Sequence, residues 1–185
     1  MKTATLKKLD TQSIAYAALC TALIAICSWI SVPAQVPFTL QTFAVFLICD
    51  LLGSTAILSV LLYLLLGAIG IPVFAGFSGG ISVLFGPTGG YLIGFIAIAL
   101  LLTAWRRLFG ERLKSIGMLL GLLLCYLFGT IWFVLVYARG GNTVSFAVAL
   151  SWCVLPYIVP DLLKIALARL IAARLRPALK GILHS

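Results

Sequence analysis

Residues 37–71 read Pro37-Phe-Thr-Leu-Gln-Thr-Phe-Ala-Val-Phe-Leu-Ile-Cys-Asp50-Leu-Leu-Gly-Ser-Thr55-Ala-Ile-Leu-Ser-Val-Leu-Leu-Tyr63-Leu-Leu-Leu-Gly-Ala-Ile-Gly-Ile71, and the number of membrane crossings turns on them. A crossing takes about 20 apolar residues. Taken as one helix the stretch is too long, and taken as two each helix is short. Apolar runs that span more plainly flank it, at Ile14–Val32, Tyr91–Trp105, Ser115–Tyr137 and Cys153–Ala173. The cations settle the count. Lys2/Lys7/Lys8, Arg106/Arg107/Arg112/Lys114 and Arg169/Arg174/Arg176/Lys180 hold all but two of the 13 Lys and Arg residues. Loops rich in Lys and Arg stay in the cytoplasm, so an even number of crossings separates the first cluster from the second. One helix over 37–71 breaks that parity. Two helices divided near Gly53-Ser54, the second over Thr55–Ile69, restore it. The expected fold is all-α: an integral membrane bundle of six transmembrane helices with both termini cytoplasmic.

Composition excludes the other classes. Hydrophobic residues make up 63% of the 185 and charged residues 9%, against roughly 45–50% and about 25% in soluble domains. A soluble fold of this length has too little interior for that much apolar surface, and a disordered chain needs more charge. The expected organisation is one membrane domain over residues 1–185, with cytoplasmic tails at 1–12 and 174–185. The net charge of +9 sits at the ends and in one short loop, so it marks topology rather than nucleic-acid binding. The first apolar run, with its basic prefix, also has the outline of a signal peptide with a weak cleavage site at Val32-Pro33-Ala34, but it exceeds the usual signal core. Cys20, Cys27, Cys49, Cys125 and Cys153 lie scattered in apolar runs, which suits small buried hydrophobes and neither a disulfide framework nor a metal site. His184 is the only histidine, one residue from the C-terminus.

Asp161 and Lys164 stand out because they interrupt the last apolar run. Asp10, Asp50 and Glu111 all have an expected route to water, in the tail, at an inner helix end and in the basic loop. Asp161 and Lys164 lie some 10–15 Å deep by their distance from the outer end of that run, and a spacing of three puts them on one helical face. An intramembrane charge faces a partner or a cavity. One reading is a self-neutralising structural ion pair. The other is a binding site in which Lys164 meets an anionic group and Asp161 accepts a ligand N–H. Pro156 and Pro160 either set the helix start or free a carbonyl that must be covered by protein or line a cavity.

Two further patterns carry weight. Gly70 to Tyr91 includes seven glycines between residues 70 and 90 yet is mostly apolar. It suits a Gly-rich outer loop between the third and fourth helices, folded over the bundle with its backbone able to approach something closely; it is not a P-loop. Gly86, Gly90 and Gly94 recur at a spacing that permits close helix packing. In the first helix, Ala15, Ala18, Ala22 and Ala25 form a small-residue face, suited to internal packing or to docking a partner helix.

Four ordered motifs then resemble one family. Val36-Pro-Phe-Thr-Leu-Gln-Thr-Phe43, Tyr63-Leu-Leu-Leu-Gly-Ala-Ile-Gly-Ile-Pro-Val-Phe74, Gly86-Pro-Thr-Gly-Gly-Tyr-Leu-Ile-Gly-Phe95 and Pro160-Asp-Leu-Leu-Lys164 are similar to the BioY family, the biotin-binding S components of energy-coupling-factor (ECF) vitamin transporters. The similarity runs from about Ile14 to Ala173. It implies a transporter component in the cell membrane, not an enzyme, with biotin as transported ligand and no cofactor. The implied partners are a coupling transmembrane protein and paired ATPases, or solitary or homo-oligomeric operation. Ala18 and Ala22 match the family's Ala-x-x-x-Ala motif for docking the coupling protein. Set beside biotin's chemistry, Lys164 suits its carboxylate or ureido oxygen and Asp161 a ureido N–H. Gly79 and Gly80 offer backbone groups, Tyr91 a hydroxyl and Asn142 an amide. Phe77 and Phe85 would wall the rings, while Thr39 and Gln41 would help close the site.

Other functions fit less well. An S component for thiamine or riboflavin is the nearest alternative. A membrane-embedded enzyme needs more acid–base groups than one Asp–Lys pair, and a channel needs polar rings along a continuous path.

Overall fold

The computed structural model describes residues 11–34, 36–111, 113–141 and 144–183, with side chains as far as Pro177. The helices are α1 (Thr11–Trp29), α2 (Gln41–Leu52), α3 (Thr55–Ala68), α4 (Ile81–Phe85), α5 (Gly89–Phe109), α6 (Lys114–Arg139), α7 (Phe146–Cys153) and α8 (Ile158–Leu183). Two very short strands, β1 (Ser31–Val32) and β2 (Phe38–Thr39), pair antiparallel between α1 and α2. Four segments are long and apolar enough to span a membrane: α1, α5, α6, and α7 with α8 taken together, Phe146–Pro177. The apolar α2 and α3 are shorter.

The division inside 37–71 falls where glycine permits it. Gly53 has φ +58° and ends α2, its N–H bonding Cys49 O. A Cβ at Gly53 would stand 2.5 Å from Arg106 Nη1. Helix α2 then runs through the middle of the bundle against α8, α1, α3 and α5. Its residues Ala44 to Asp50 are all buried, as expected of a helix apolar on every side.

Helices α5 and α6 form a close hairpin. Gly90 and Gly94 admit α6 here: a Cβ at Gly90 would lie 2.3 Å from Trp132 Cβ, and one at Gly94 2.8 Å from Cys125 Sγ. Gly86, the third member of that spacing, instead caps α4, and its carbonyl accepts the Trp132 indole N–H at 3.0 Å.

Three expectations are corrected. The last apolar run, read as starting at Cys153, is preceded by a further helix, α7, from Phe146 to Cys153. Helix α8 does not stop at Ala173 but continues to Leu183, through residues assigned to the tail, with Pro177 inside it. Asp50 does not reach water: its side chain is 1% exposed. Cations from distant parts of the chain converge on it, Lys114 Nζ at 2.7 Å and Arg176 Nη2 at 2.6 Å from Oδ1. Arg106 and Arg176 also donate to the Asp50 backbone carbonyl.

Glu111 completes this charged end. It binds Arg106 at 2.8 Å, Arg176 at 2.6 Å and also Lys114. Partial burial would raise its carboxyl, but Lys114 and Arg106 outweigh that and hold it down at about 2, from an ordinary value of 4.5. A carboxyl lowered on folding stabilises the fold above its unfolded value and loses that contribution as pH falls through its folded one. The unfolding temperature of the purified protein should therefore decline as pH is lowered from about 4.5 towards about 2. Glu111→Gln should reduce that slope and lower the unfolding temperature at pH 7. Identical pH profiles for the two proteins would show that Glu111 plays no part.

Candidate binding site

At the opposite end of the bundle from this cluster, a turn at Leu155–Tyr157 leads into α8, and Pro160 occupies the first turn of that helix. Proline loses nothing there, since first-turn N–H groups have no intrahelical acceptor. Asp161 follows immediately, where the positive end of the helix dipole favours a carboxylate. Lys164, one turn on, places Nζ 2.7 Å from Asp161 Oδ1. Both residues are buried.

The pair is held from two sides. Tyr126 on α6 donates its hydroxyl to Asp161 Oδ2 at 2.5 Å. From β2, Phe38 lays its ring under Lys164, with Nζ 4.1 Å from the centroid, a favourable cation–π arrangement. Phe38 stacks on Tyr157, which donates to the carbonyl of Val36 and so ties the α1–α2 connection to the start of α8.

A cavity of about 170 Å³ opens beside Asp161 and Lys164, room on the order of ten water molecules. Phe74, Val83, Leu92, Phe95 and Leu122 give it apolar walls. Thr39, Gln41 and Tyr91, three of the residues singled out in the sequence, line it with polar groups. Gln41 Nε2 donates to Tyr63 Oη at 2.5 Å, Tyr63 donates to Val73 O at 3.1 Å, and Ser28 donates to the same carbonyl at 2.5 Å. That chain pins the segment after α3 to α1 and α2. Tyr91 pairs its hydroxyl with Thr130 at 3.1 Å.

The remaining site residues lie elsewhere. Phe77 and Phe85 do not wall the cavity: they are 63% and 61% exposed, against Trp29 and Trp132 respectively. Gly79 and Gly80 do not line it either. A Cβ at Gly79 would meet Ile71 O at 2.5 Å, and Gly80, at φ +100°, donates its N–H to Gly67 O at 2.7 Å. These two glycines fold the loop onto α3, and their neighbours Phe74, Ala75 and Ser78 reach the cavity. Asn142 lies outside the described residues. Ala15, Ala18 and Ala22 are exposed on α1, whereas Ala25 turns into the core.

A model of the BioY family matches residues 1–181. The chain belongs to the BioY family. It is 43% identical to a protein named probable biotin transporter BioY of Pyrococcus horikoshii, over 89% of this chain and 96% of that one. It is 42% identical to the biotin transporter BioY of Thermotoga maritima, over 86% and 93%. Its fold superposes with a TM-score of 0.80, at 27% identity and covering 94% of this chain and 95% of the other, on the crystal structure of the S-component for biotin from an ECF-type ABC transporter. BioY proteins are transporters rather than enzymes, and this chain is a multi-pass membrane protein.

Tyr126, Phe38 and Tyr157 were not legible from the sequence as neighbours of the Asp161–Lys164 pair. Tyr126 positions Asp161, and a bond to a charged group is worth about 1.5–3 kcal/mol. Tyr126→Phe should lower the unfolding temperature of the purified protein clearly. The same change in an Asp161→Asn background should cost much less, because coupled neighbours do not add. Equal losses in both backgrounds would detach Tyr126 from Asp161.

Proposed function

We propose that this chain is the substrate-capturing S component of a biotin uptake system. The observation that carries this reading is the buried Asp161–Lys164 pair beside an otherwise largely apolar cavity, in a chain of the BioY family. Biotin presents a carboxylate, a ureido group with two N–H donors and a carbonyl, and an apolar thioether ring and tail. Each polar group left unpaired in a buried site costs about 1–3 kcal/mol. Lys164 spends one donor on Asp161 and keeps others for a carboxylate or the ureido oxygen. Asp161 retains lone pairs for a ureido N–H, and Thr39, Gln41 and Tyr91 extend the polar set. Phe74, Leu92 and Phe95 suit the rings.

In this reading the charged end lies in the cytoplasm, following the positive-inside rule, and the cavity opens outward. Helices α2 and α3 count as crossings, making six with both termini inside, and residues 1–185 act as one membrane domain. With no nucleotide-binding motif of its own, the chain draws on a coupling transmembrane protein and paired ATPases for concentrative uptake. Ala18 and Ala22 are the docking face.

The test is a thermal-shift titration of purified protein against biotin, thiamine and riboflavin. Biotin should raise the unfolding temperature at low micromolar concentration or below, since a ligand that binds only the folded state stabilises it by mass action. A shift with riboflavin or thiamine and none with biotin would reassign the substrate.

A further inference from the structure

The cluster around Asp50 holds more positive charge than it neutralises. Arg106, Lys114, Arg169 and Arg176 face two carboxylates, Asp50 and Glu111, an excess of two positive charges. Three of the four carboxylate oxygens are already engaged. Asp50 Oδ1 takes Lys114 and Arg176, while Glu111 takes Arg106 on Oε1 and Arg176 and Lys114 on Oε2. Two guanidiniums are left with unused donors. Arg176 Nε is buried and has no hydrogen-bond partner among the described residues. Arg169 is 3.9 Å from Asp50 Oδ2, beyond hydrogen-bond reach, and among the described residues its one close bond is to the hydroxyl of Ser115 on α6. Both side chains are about one-third exposed, 38% for Arg169 and 34% for Arg176.

We propose that this edge of the charged end binds the phosphate headgroup of an acidic phospholipid, seated between the start of α6 and the later turns of α8. Phosphate supplies acceptor oxygens in the geometry that guanidinium donors match. Its negative charge offsets the surplus that Asp50 and Glu111 leave. The surroundings select a lipid over a soluble anion. One turn beyond Ser115, Leu119 is exposed, and on α8 Ala166 and Leu162 continue Arg169's stripe as exposed apolar surface. In a membrane-spanning bundle those residues face acyl chains, so headgroup and tails of one molecule meet cations and leucines in the right order.

The full chain, purified in neutral detergent, is titrated with dioleoyl phosphatidylglycerol, dioleoyl phosphatidylcholine and inorganic phosphate while unfolding is followed by tryptophan fluorescence. The acidic lipid should raise the unfolding temperature, and phosphatidylcholine and phosphate should not. Arg169→Gln, which removes a charge-assisted hydrogen bond to the phosphate, should require about tenfold more acidic lipid for the same shift. Arg107→Gln removes the same charge from an exposed position outside the cluster and should titrate as the unaltered protein does. An equal response to phosphatidylcholine, a response to phosphate alone, or equal weakening by both substitutions would overturn the site. Should Arg169→Gln not fold, native mass spectrometry of the unaltered protein taken from mixed vesicles decides the matter. Preferential retention of phosphatidylglycerol supports the site, and retention in proportion to the vesicle composition refutes it.

Discussion

Lys164→Met should reduce biotin affinity by about 30-fold to several thousand-fold, the range for removing one partner of a buried charged contact. Lys164 Nζ lies at the cavity wall, 2.7 Å from Asp161 Oδ1 and over the Phe38 ring. A ligand oxygen placed there exchanges water for a desolvated cation. The single change also strands Asp161, and an unpaired buried charge costs about 3–5 kcal/mol of stability. Lost binding alone would therefore prove little. Lys164→Met combined with Asp161→Asn keeps the side-chain shapes and cancels both charges. It should recover much of the unfolding temperature and still fail to bind biotin by calorimetry. A folded double variant that binds biotin with unchanged affinity would leave the pair as a helix brace.

Ala18→Trp with Ala22→Trp should abolish labelled biotin accumulation in cells while leaving the affinity of the purified protein within about threefold. The two positions are one turn apart, with Cβ atoms about 5–6 Å from each other, and both are exposed on α1. Indoles there add bulk outside the bundle rather than within it, so overpacking of the core does not arise. A partner helix that needs a smooth small-residue surface to approach meets two large rings instead. Intact uptake would leave the face open to lipid. Loss of affinity together with uptake would mean that the substitutions disturb α1 itself.

The parts of this architecture legible in the sequence are those that charge and helical period determine. Division of residues 37–71 at Gly53-Ser54 followed from loop parity, and α2 ends at Leu52 with α3 starting at Thr55. Asp161 and Lys164 were conspicuous because ions are expensive in an apolar run, and the i,i+3 relation held because a helix enforces it. What escaped depends on tertiary approach. Nothing in Leu122 to Thr130 marks Tyr126 out, since its role rests on which face of α6 meets α8. Asp50 reads as a helix-end carboxylate until Lys114 and Arg176 arrive from 64 and 126 residues away. The directions of Phe77 and Phe85 had no periodicity to betray them. Phe77 sits in an irregular loop where Gly76 and Phe77 itself take positive φ, 68° and 55°, and Phe85 ends the five-residue helix α4, too short to show a period.

Helix α3 has 14 residues, about 21 Å of rise, against a hydrocarbon core of about 30 Å. Its exposed Leu61 and Leu65 give way, beyond its end, to exposed Ile69, Ile71, Phe77, Ile81 and Phe85. On this flank the apolar height of the protein is finished by a loop and not by a helix. Thickness mismatch exacts fractions of a kcal/mol per Å, and a rod answers it by tilting whereas a loop answers it by bending. The inner side of this loop is the cavity wall at Phe74, Ala75, Ser78 and Val83. Acyl-chain length should therefore load the cavity wall through this loop, and biotin affinities measured in short-chain and long-chain bilayers should differ.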